Sequence, residues 1–128
     1  MQTIQSNCQT LALTSKIKGK ICVPSRSGLN WGQRPGRNEN QAYLAVPAYI
    51  QKIAFFPAPG EKFYLEFDDG KRFICLRAQC NGKAIQTPKN NAELGYYFRK
   101  RLNVESGDPI MIGHLLKYGR IDVDIHKD

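Results

Sequence analysis

Hydrophobic and polar positions alternate along short stretches of the chain, the pattern typical of half-buried β-strands. Seven segments show it: residues 16–23, 42–46, 62–67, 72–78, 83–87, 109–116 and 120–126. The turn sequences Asp68-Asp69-Gly70 and Asn81-Gly82 separate three of these segments, as they do in β-hairpins. The pattern therefore predicts a mostly antiparallel β-fold.

Two segments have helical signals instead. Leu94, Phe98 and Leu102 recur every four residues after Asn90 and Asn91, either of which can cap a helix over residues 92–102. Pro47 can start a short helix that continues to residue 52. We predict a mostly β domain with one or two short helices.

The chain has 128 residues, 41% of them hydrophobic and 23% charged, which suits one compact domain. No apolar stretch approaches the roughly 18 residues of a membrane span, and no secretory signal is recognisable. The cysteines Cys8, Cys22, Cys75 and Cys80 are not spaced as zinc ligands, even with His114 and His126. We expect buried, reduced thiols in a cytoplasmic protein, with no metal and no cofactor.

Basic residues are concentrated in two blocks of a chain whose net charge is +8. Residues 1–38 contain six bases and no acid, and residues 71–103 contain eight bases and one acid. Acids outnumber bases in residues 39–70 and 104–128. If folding brings the basic blocks together, they form the positive surface that a phosphate backbone requires.

A long polar loop from Ser25 to Asn40 follows the first predicted strand. It combines three arginines, four side-chain amides and the single tryptophan of the chain: Arg26, Arg34, Arg37, Asn30, Gln33, Asn38, Asn40 and Trp31. Arginine can donate two parallel hydrogen bonds to guanine, and an amide can pair with the edge of adenine. The alternative is a solvated loop. For Trp31 alone, anchoring of the loop on the core is favoured over base stacking.

A second polar cluster surrounds the predicted Asn81-Gly82 hairpin. Its members are Arg77, Gln79, Asn81, Lys83, Gln86, Thr87, Lys89, Asn90 and Asn91. A hairpin with amides and cations can enter a major groove, although ordinary surface polarity is the alternative. For Arg99, Lys100 and Arg101, a solvated helix face is favoured over phosphate contact.

The sequence contains no recognisable catalytic motif. Asp122 and Asp124 alternate on one strand and could bind Mg²⁺, but a solvated acidic face is the favoured interpretation. No serine or cysteine nucleophile has a base at motif spacing, and no glycine-rich phosphate loop is present. We expect a non-catalytic protein without a small-molecule substrate.

Three segments together resemble one family. They are Ser25-Arg26-Ser27-Gly28-Leu29-Asn30-Trp31-Gly32-Gln33-Arg34; Phe67-Asp68-Asp69-Gly70 with Gly82-Lys83-Ala84-Ile85; and Glu93 to Leu102 with Tyr118-Gly119-Arg120. They are similar to the B3-like DNA-binding domain at the C-terminus of phospholipase-D-type restriction endonucleases. The likeness runs from about residue 25 to residue 125, and the first segment is the most specific.

The resemblance implies a fold and an interface. The implied fold is a seven-stranded, double-psi-like open pseudobarrel over residues 15–128, after an N-terminal extension or linker of residues 1–14. Two arms would enter the major groove of duplex DNA. The N-arm would comprise Ser25, Arg26, Ser27, Gly28, Asn30, Trp31, Gln33, Arg34, Arg37 and Asn38. The C-arm would comprise Arg77, Gln79, Asn81, Lys83, Gln86, Thr87, Lys89 and Asn90.

The resemblance also implies a biological setting. In such enzymes the nuclease is a separate N-terminal domain, so this chain is expected to be the recognition module of a bacterial, cytoplasmic restriction enzyme. We expect it to be monomeric and to bind neither membranes nor metals.

The resulting hypothesis is sequence-specific recognition of double-stranded DNA. Arg26, Arg34, Arg37, Lys83 and Lys89 would combine phosphate contacts with guanine readout, and Asn30, Gln33, Gln79, Asn81 and Gln86 would supply other base contacts. One alternative is a barrel for single-stranded nucleic acid or RNA, with stacking on Tyr43, Phe63, Phe67 and Phe73. A less favoured alternative is a metal-dependent nuclease using Asp122, Asp124 and Glu66.

Overall fold

The computed structural model describes residues 8–52, 55–78, 82–88 and 90–127. Those residues form eight strands, three α-helices and one 3₁₀ segment, Gly28–Gln33. The strands are β1 (Cys8–Ala12), β2 (Ser15–Ile17), β3 (Lys20–Cys22), β4 (Leu44–Ala45), β5 (Phe63–Phe67), β6 (Arg72–Ala78), β7 (Ala84–Gln86) and β8 (Asp122–Lys127). The helices are α1 (Ala48–Lys52), α2 (Ala92–Arg101) and α3 (Ile112–Tyr118). The prediction of a mostly β fold is confirmed, with more strands and helices than expected.

Six of the strands form one antiparallel sheet in the order β1-β8-β5-β6-β7-β4. Both predicted hairpins are present in it, since β5 pairs with β6 and β6 pairs with β7. Within the described part of the chain, the edge strands β1 and β4 are not hydrogen-bonded to each other. No closed barrel is therefore seen among the described residues, and the seven-stranded open pseudobarrel stays a prediction.

Strand β1 lies in the segment that the resemblance assigned to an extension or linker. It pairs along its whole length with β8, from Cys8 opposite His126 to Ala12 opposite Asp122. Leu11 points into the core and is fully buried. The folded domain thus includes residues from position 8 onward, because an edge strand with a buried leucine is part of the sheet.

The first predicted strand, residues 16–23, is instead a separate two-stranded hairpin of β2 and β3. Lys18 and Gly19 form its turn with φ values of 51° and 78°, the left-handed backbone of a type I′ turn. The alternation of lysine and isoleucine predicts one half-buried strand, and this prediction is wrong because the chain reverses at Lys18 and Gly19. In the structure, all hairpin residues are exposed except Cys22, which is partly buried.

The core lies between one face of the sheet and two helices. The sheet contributes the buried side chains of Leu11, Leu65, Phe67, Cys75, Ile85, Val123 and Ile125. Leu94 and Phe98 of α2 and Leu115 of α3 belong to the same cluster. Phe67 packs against Phe98 with ring centroids 5.3 Å apart. The four-residue spacing that predicted α2 is therefore its buried face.

The predicted strand over residues 109–116 is wrong, because the chain forms α3 there. The backbone amide of Met111 donates to Nδ1 of His114 over 2.9 Å, which satisfies a donor at the start of the helix. Gly119 ends the helix with φ of 103°. Ile112 packs against the core and Leu115, three residues later, is buried in it, whereas Leu116 is 67% exposed, so the apolar positions follow a helical spacing. In the part of the chain that the structure describes, no helix is long and apolar enough to span a bilayer.

The cysteines differ in their exposure. Cys75 is fully buried on β6, and this burial raises the pKa of its thiol to about 12. Cys8 is exposed and Cys22 partly exposed, contrary to the expectation of buried thiols. Cys80 lies outside the described residues.

Helix α2 approaches the loop before β4 so closely that only glycine fits at position 95. A Cβ atom added there would overlap the carbonyl oxygen of Asn40. We expect Gly95→Ala to lower the free energy of unfolding by about 2–3 kcal/mol, because backbone must move to relieve the overlap. Urea denaturation followed by circular dichroism measures this change.

Gly113 is the matched control, since it is also helical and an added Cβ meets nothing within 4 Å. Gly113→Ala should leave stability unchanged or raise it by up to about 1 kcal/mol. Equal stability of the two variants would contradict the close approach of α2 to the loop.

Cys75 should resist alkylation in the folded protein. With a thiol pKa near 12, only about one molecule in ten thousand carries the thiolate at pH 8, and the side chain is buried. Iodoacetamide should therefore label Cys8 long before Cys75, as measured by peptide mass spectrometry. In denaturing urea the two rates should converge. Rapid labelling of Cys75 in the folded protein would show that β6 is not packed as described.

Candidate nucleic-acid interface

Backbone hydrogen bonds between the start of the N-arm loop and the residues that follow it hold the N-arm in a folded conformation. The amide of Gly32 donates to the carbonyl of Gln41 over 2.8 Å, and the amide of Tyr43 donates to the carbonyl of Gly28 over 3.1 Å. The 3₁₀ segment Gly28–Gln33 forms the inner half of the loop. The predicted polar loop therefore has a defined conformation.

Asn30 supports this loop from inside and does not face solvent. Its side chain is fully buried. Its Nδ2 donates to the carbonyls of Pro24, at 2.9 Å, and Ile110, at 2.8 Å, while its Oδ1 accepts from the amide of Ile110 at 2.8 Å. The prediction that Asn30 reads a base is therefore at odds with the structure, because its amide is occupied and inaccessible.

Gln33 also serves the loop. Its Nε2 donates to the carbonyls of Glu39, at 3.0 Å, and Gly107, at 3.1 Å. Asn40 continues the same attachment, because its Nδ2 donates to Oγ of Ser106 and its Oδ1 accepts from the amide of Gly107. These bonds tie the N-arm to the segment before α3, so a base-reading role for Gln33 would require two of them to break.

Trp31 anchors the loop, as favoured from the sequence. Its ring meets the ring of Tyr43 edge-to-face, with centroids 5.5 Å apart. The guanidinium of Arg37 lies 4.2 Å from the centroid of the Trp31 ring, a cation–π contact. The Trp31 ring is thus packed between the ring of Tyr43 and the guanidinium of the exposed Arg37.

The three arginines of the N-arm are exposed, as are Ser25 and Asn38, while Ser27 and Gly28 are partly buried. Nε of Arg34 donates to the carbonyl of Arg26 over 2.8 Å. Nη1 of Arg37 donates to Oε1 of Gln41 over 3.2 Å. The exposed guanidinium groups of Arg34 and Arg37 are therefore oriented by the loop itself.

The C-arm lies on the β6–β7 hairpin and the segment that follows it. Lys83 and Asn90 are exposed, and Arg77 and Gln86 are partly buried. Nε of Arg77 donates to the carbonyl of Pro57 over 2.9 Å, so part of its guanidinium is used internally. The predicted contacts by Gln79, Asn81 and Lys89 lie outside the described residues.

Thr87 does not fit the predicted C-arm contact. It is 2% exposed, and its hydroxyl donates to the carbonyl of Asn90 over 2.5 Å. The Oδ1 of Asn90 accepts from the amide of Ala92, the first residue of α2. The polar side chains here define the turn into the helix, which explains their spacing without a ligand.

The two arms are joined by backbone pairing. Strand β4, which leaves the N-arm, pairs with β7, which leaves the C-arm hairpin. The amide of Val46 donates to the carbonyl of Lys83 over 2.8 Å, and the amide of Ala42 donates to the carbonyl of Asn91 over 3.1 Å. The segment after the N-arm and the segment after the C-arm hairpin therefore run beside each other as one unit.

Two of the three bases at the end of α2 are used inside the protein. Arg99 is fully buried, and its Nε donates to the carbonyl of Asp108 over 2.7 Å. Burial lowers the pKa of its guanidinium, against the opposing charges of Asp108 and Glu39. Arg101 forms an ion pair with Asp68. Only Lys100 is on the solvated face expected for all three.

The acidic strand β8 is neutralised by Arg120. Its guanidinium lies 2.7 Å from Asp122, 3.0 Å from Asp124 and 2.9 Å from Asp68. The hydrogen bonds from Arg120, together with one from Thr10, hold the pKa of Asp124 below its ordinary value. Asp122 and Asp124 thus bind an arginine while their side chains stay 38% and 49% exposed, in keeping with the solvated face predicted for this strand.

The candidates for a metal site or a stacking surface are also occupied. Among the described residues, no three histidine, cysteine or acidic side chains are grouped as metal ligands. Phe63 and Phe67 are buried, and Phe73 packs against Phe67 with centroids 5.9 Å apart. These phenylalanines, the stacking candidates of the single-strand alternative, are packed in or against the core, which their alternation in the sequence also favours.

Some residues that shape the interface were not recognised from the sequence. Asn40 is one of several amides in the polar loop, and nothing in its local sequence indicates a partner at Ser106. The sequence predicts Gly95 only as a helix residue and gives no sign of its close approach to Asn40. The β2–β3 hairpin had a usable signal, since Lys18-Gly19 separates two short runs of β-branched residues and can form a two-residue turn.

Asn30→Ala should unfold the domain more easily. It leaves two carbonyls and the buried amide of Ile110 without their side-chain partner. We expect the free energy of unfolding to fall by about 3 kcal/mol, since each unsatisfied buried group costs roughly 1–3 kcal/mol. Trp31 fluorescence in urea reports the transition at the loop itself.

Asn38→Ala is the control from the same loop. Asn38 is exposed, and its Oδ1 accepts one hydrogen bond from the amide of Asn40. Its removal should cost at most about 1 kcal/mol. If the two alanine variants were equally stable, the clamp formed by the three hydrogen bonds of the Asn30 side chain would not hold the loop.

The comparisons with known proteins agree with the resemblance of the sequence. A family model described as the NgoFVII C-terminal B3-like DNA-binding domain matches residues 3–128. None of the curated proteins compared with the chain matches it. The family match covers nearly the whole chain, including the sheet, both arms and the β2–β3 hairpin. The chain therefore belongs to the family of NgoFVII C-terminal B3-like DNA-binding domains.

Proposed function

We propose that this DNA-binding domain reads a short, asymmetric site in duplex DNA through the N-arm and the C-arm, placed in the major groove. The observation that carries the proposal is that the amide side chains and the arginines of the N-arm differ in their exposure and their hydrogen-bond partners. Asn30 and Gln33 hold the loop from within, whereas Arg26, Arg34 and Arg37 are exposed on it. A loop held this way presents its cations in a fixed arrangement.

Arg34 is the best candidate for a guanine reader. Its Nε is bound to the carbonyl of Arg26, so the terminal nitrogens Nη1 and Nη2 remain for the O6 and N7 atoms of guanine. A guanidinium that is already oriented loses less side-chain entropy on binding. Arg37 is oriented in a similar way by Trp31 and Gln41.

The C-arm contributes charge and amides beside this loop. Lys83 is exposed next to the pairing of β4 with β7, and Gln86 and Asn90 keep some exposure. Gln79, Asn81 and Lys89 belong to the same proposed arm. In this assignment Lys83 binds phosphate, because an ammonium group lacks the planar paired donors with which arginine reads guanine.

Burial of the candidate stacking residues disfavours single strands as the ligand. Binding of unpaired bases uses aromatic rings exposed along the path of the strand. Phe63 and Phe67 are buried, and Tyr43 packs against Trp31. Duplex DNA, bound through exposed cations and polar groups, is the ligand that this surface supports.

We further propose the restriction-enzyme setting for this domain. In that setting it directs a nuclease carried elsewhere to its target, acts in the cytoplasm and is monomeric by itself. The metal-dependent nuclease alternative has less support, since Asp122 and Asp124, two of its three acids, are bound to Arg120.

Selection from a random-sequence duplex pool tests the function. At about 0.15 M salt, nonspecific phosphate binding is weakened and base contacts decide which sequences are retained. We expect one short consensus to be enriched. An unenriched pool, with binding that only fades as salt rises, would reject sequence reading.

Arg34→Ala should weaken binding to the selected site by about 1–3 kcal/mol and relax one position of the consensus. Arg34→Lys should relax the same position while retaining the charge, because lysine cannot donate the paired bonds. Equilibrium titration of site variants by fluorescence anisotropy measures both effects.

Lys83→Ala is the matched comparison in the C-arm. It should weaken binding to every duplex by a similar factor. The negative slope of log K against log salt should become less steep by about 0.9. If Arg34→Ala also weakened selected and random duplexes equally, Arg34 would be a phosphate contact and not a base reader.

A further inference from the structure

The β2–β3 hairpin stands apart from the six-stranded sheet. Its two strands pair only with each other, and five of their six residues are exposed. Such a two-stranded ribbon buries little apolar surface and is marginally stable by itself. Its position is fixed at its two ends. The amide of Leu13 donates to the carbonyl of Ile121, and the carbonyl of Pro24 accepts from Asn30.

The hairpin is basic on both faces and at its tip. Lys16 is opposite Ile21, and Lys20 is opposite Ile17, so each face carries one lysine and one isoleucine. Lys18 lies in the turn. The isoleucines are 47% and 54% exposed, so each face also presents an apolar side chain to solvent. Nothing acidic occurs in the sequence before residue 39.

Charge elsewhere in the fold is largely balanced, in contrast to the hairpin. Arg101 and Arg120 are paired with aspartates, and Arg72 lies 3.8 Å from Glu66. The second basic block of the sequence therefore contributes less net charge to the surface than its composition suggests. The excess is concentrated in the hairpin and in the N-arm, which begins three residues after β3.

We propose that the β2–β3 hairpin is a third DNA-contacting element, whose lysines bind the phosphates flanking the groove that the N-arm enters. The inference rests on the proposed function, because it takes the N-arm as the reader of the duplex. Lys16 and Lys20 lie on the two strands of the hairpin, and Lys18 lies in the turn between them. Each strand has three residues, or about 10 Å of extended chain. Duplex DNA carries one negative charge per roughly 1.7 Å of its axis, so a ribbon of this length meets several phosphates.

The hairpin contributes affinity without sequence information, since phosphate contacts fix position and orientation only. Because its exit is held by Asn30, the same residue that holds the N-arm, hairpin and N-arm keep a constant separation. Phosphate binding by the hairpin thereby sets where the arginines of the N-arm meet the base edges.

The test removes the three hairpin charges without disturbing the turn. The variant combines Lys16→Gln, Lys18→Asn and Lys20→Gln, because asparagine accepts the left-handed backbone at position 18. The control variant combines Lys52→Gln, Lys62→Gln and Lys117→Gln, which lowers the net charge equally at three exposed lysines on other elements. Thermal unfolding by circular dichroism checks that both fold.

Binding is measured from 0.05 to about 0.5 M salt on two duplexes, one with the selected site and one of random sequence. In the hairpin variant, the negative slope of log K against log salt should become less steep by about 2.7, or 0.9 for each lost phosphate contact. Near 0.1 M salt it should bind both duplexes about 100-fold more weakly, with an unchanged ratio between them. The control should change the slope far less.

Equal slopes for the hairpin variant and the control would overturn the inference, whether or not the wild-type protein selects a sequence. A wild-type protein that binds all duplexes alike would reject sequence reading, and the slopes on random DNA would still decide whether the hairpin contacts phosphate. A hairpin variant that lost only the selected site would also overturn the inference, since phosphate contacts weaken all sequences together.

Discussion

The side-chain amide of Asn30 fixes the surface from which the rest of the interface projects. It joins the carbonyl of Pro24, at the exit of the β2–β3 hairpin, to both backbone groups of Ile110, ahead of α3. The two bonds to Ile110 are buried and the bond to Pro24 is partly buried, so losing them is costly. Together with the bonds that join Gln33 and Asn40 to Gly107 and Leu13 to Ile121, Asn30 holds the hairpin, the N-arm and the segment before α3 in place.

Around this clamp, the fold separates internal charge from surface charge. Arg99 is buried beside the N-arm loop, and Arg101 and Arg120 close the end of the sheet through Asp68. The lysines of the hairpin and the arginines of the N-arm are on exposed segments, and the first acid of the sequence is Glu39, two residues after Arg37. Summed sequence charge overstates the second basic block because it cannot distinguish paired from unpaired cations.

Local signals predicted the fold where neighbours in sequence are neighbours in space. The β5–β6–β7 meander follows from turn residues and alternation, and α2 follows from its four-residue repeat. Prediction failed where the partner is distant. β1 is a strand because β8 is available to pair with it, and α3 replaced an expected strand because a short apolar run is compatible with either structure.

The candidate site shows the same division. The sequence located both polar segments, but could not assign roles within them, because an amide that reads a base and an amide that holds a loop have the same chemistry. Burial separates them: Asn30 satisfies its hydrogen bonds inside the protein, whereas Arg34 uses one nitrogen internally and keeps two outside. A buried amide needs only three nearby backbone groups, and a turn-rich loop supplies them. An arginine usually costs more to bury, so the arginines of such a loop stay exposed.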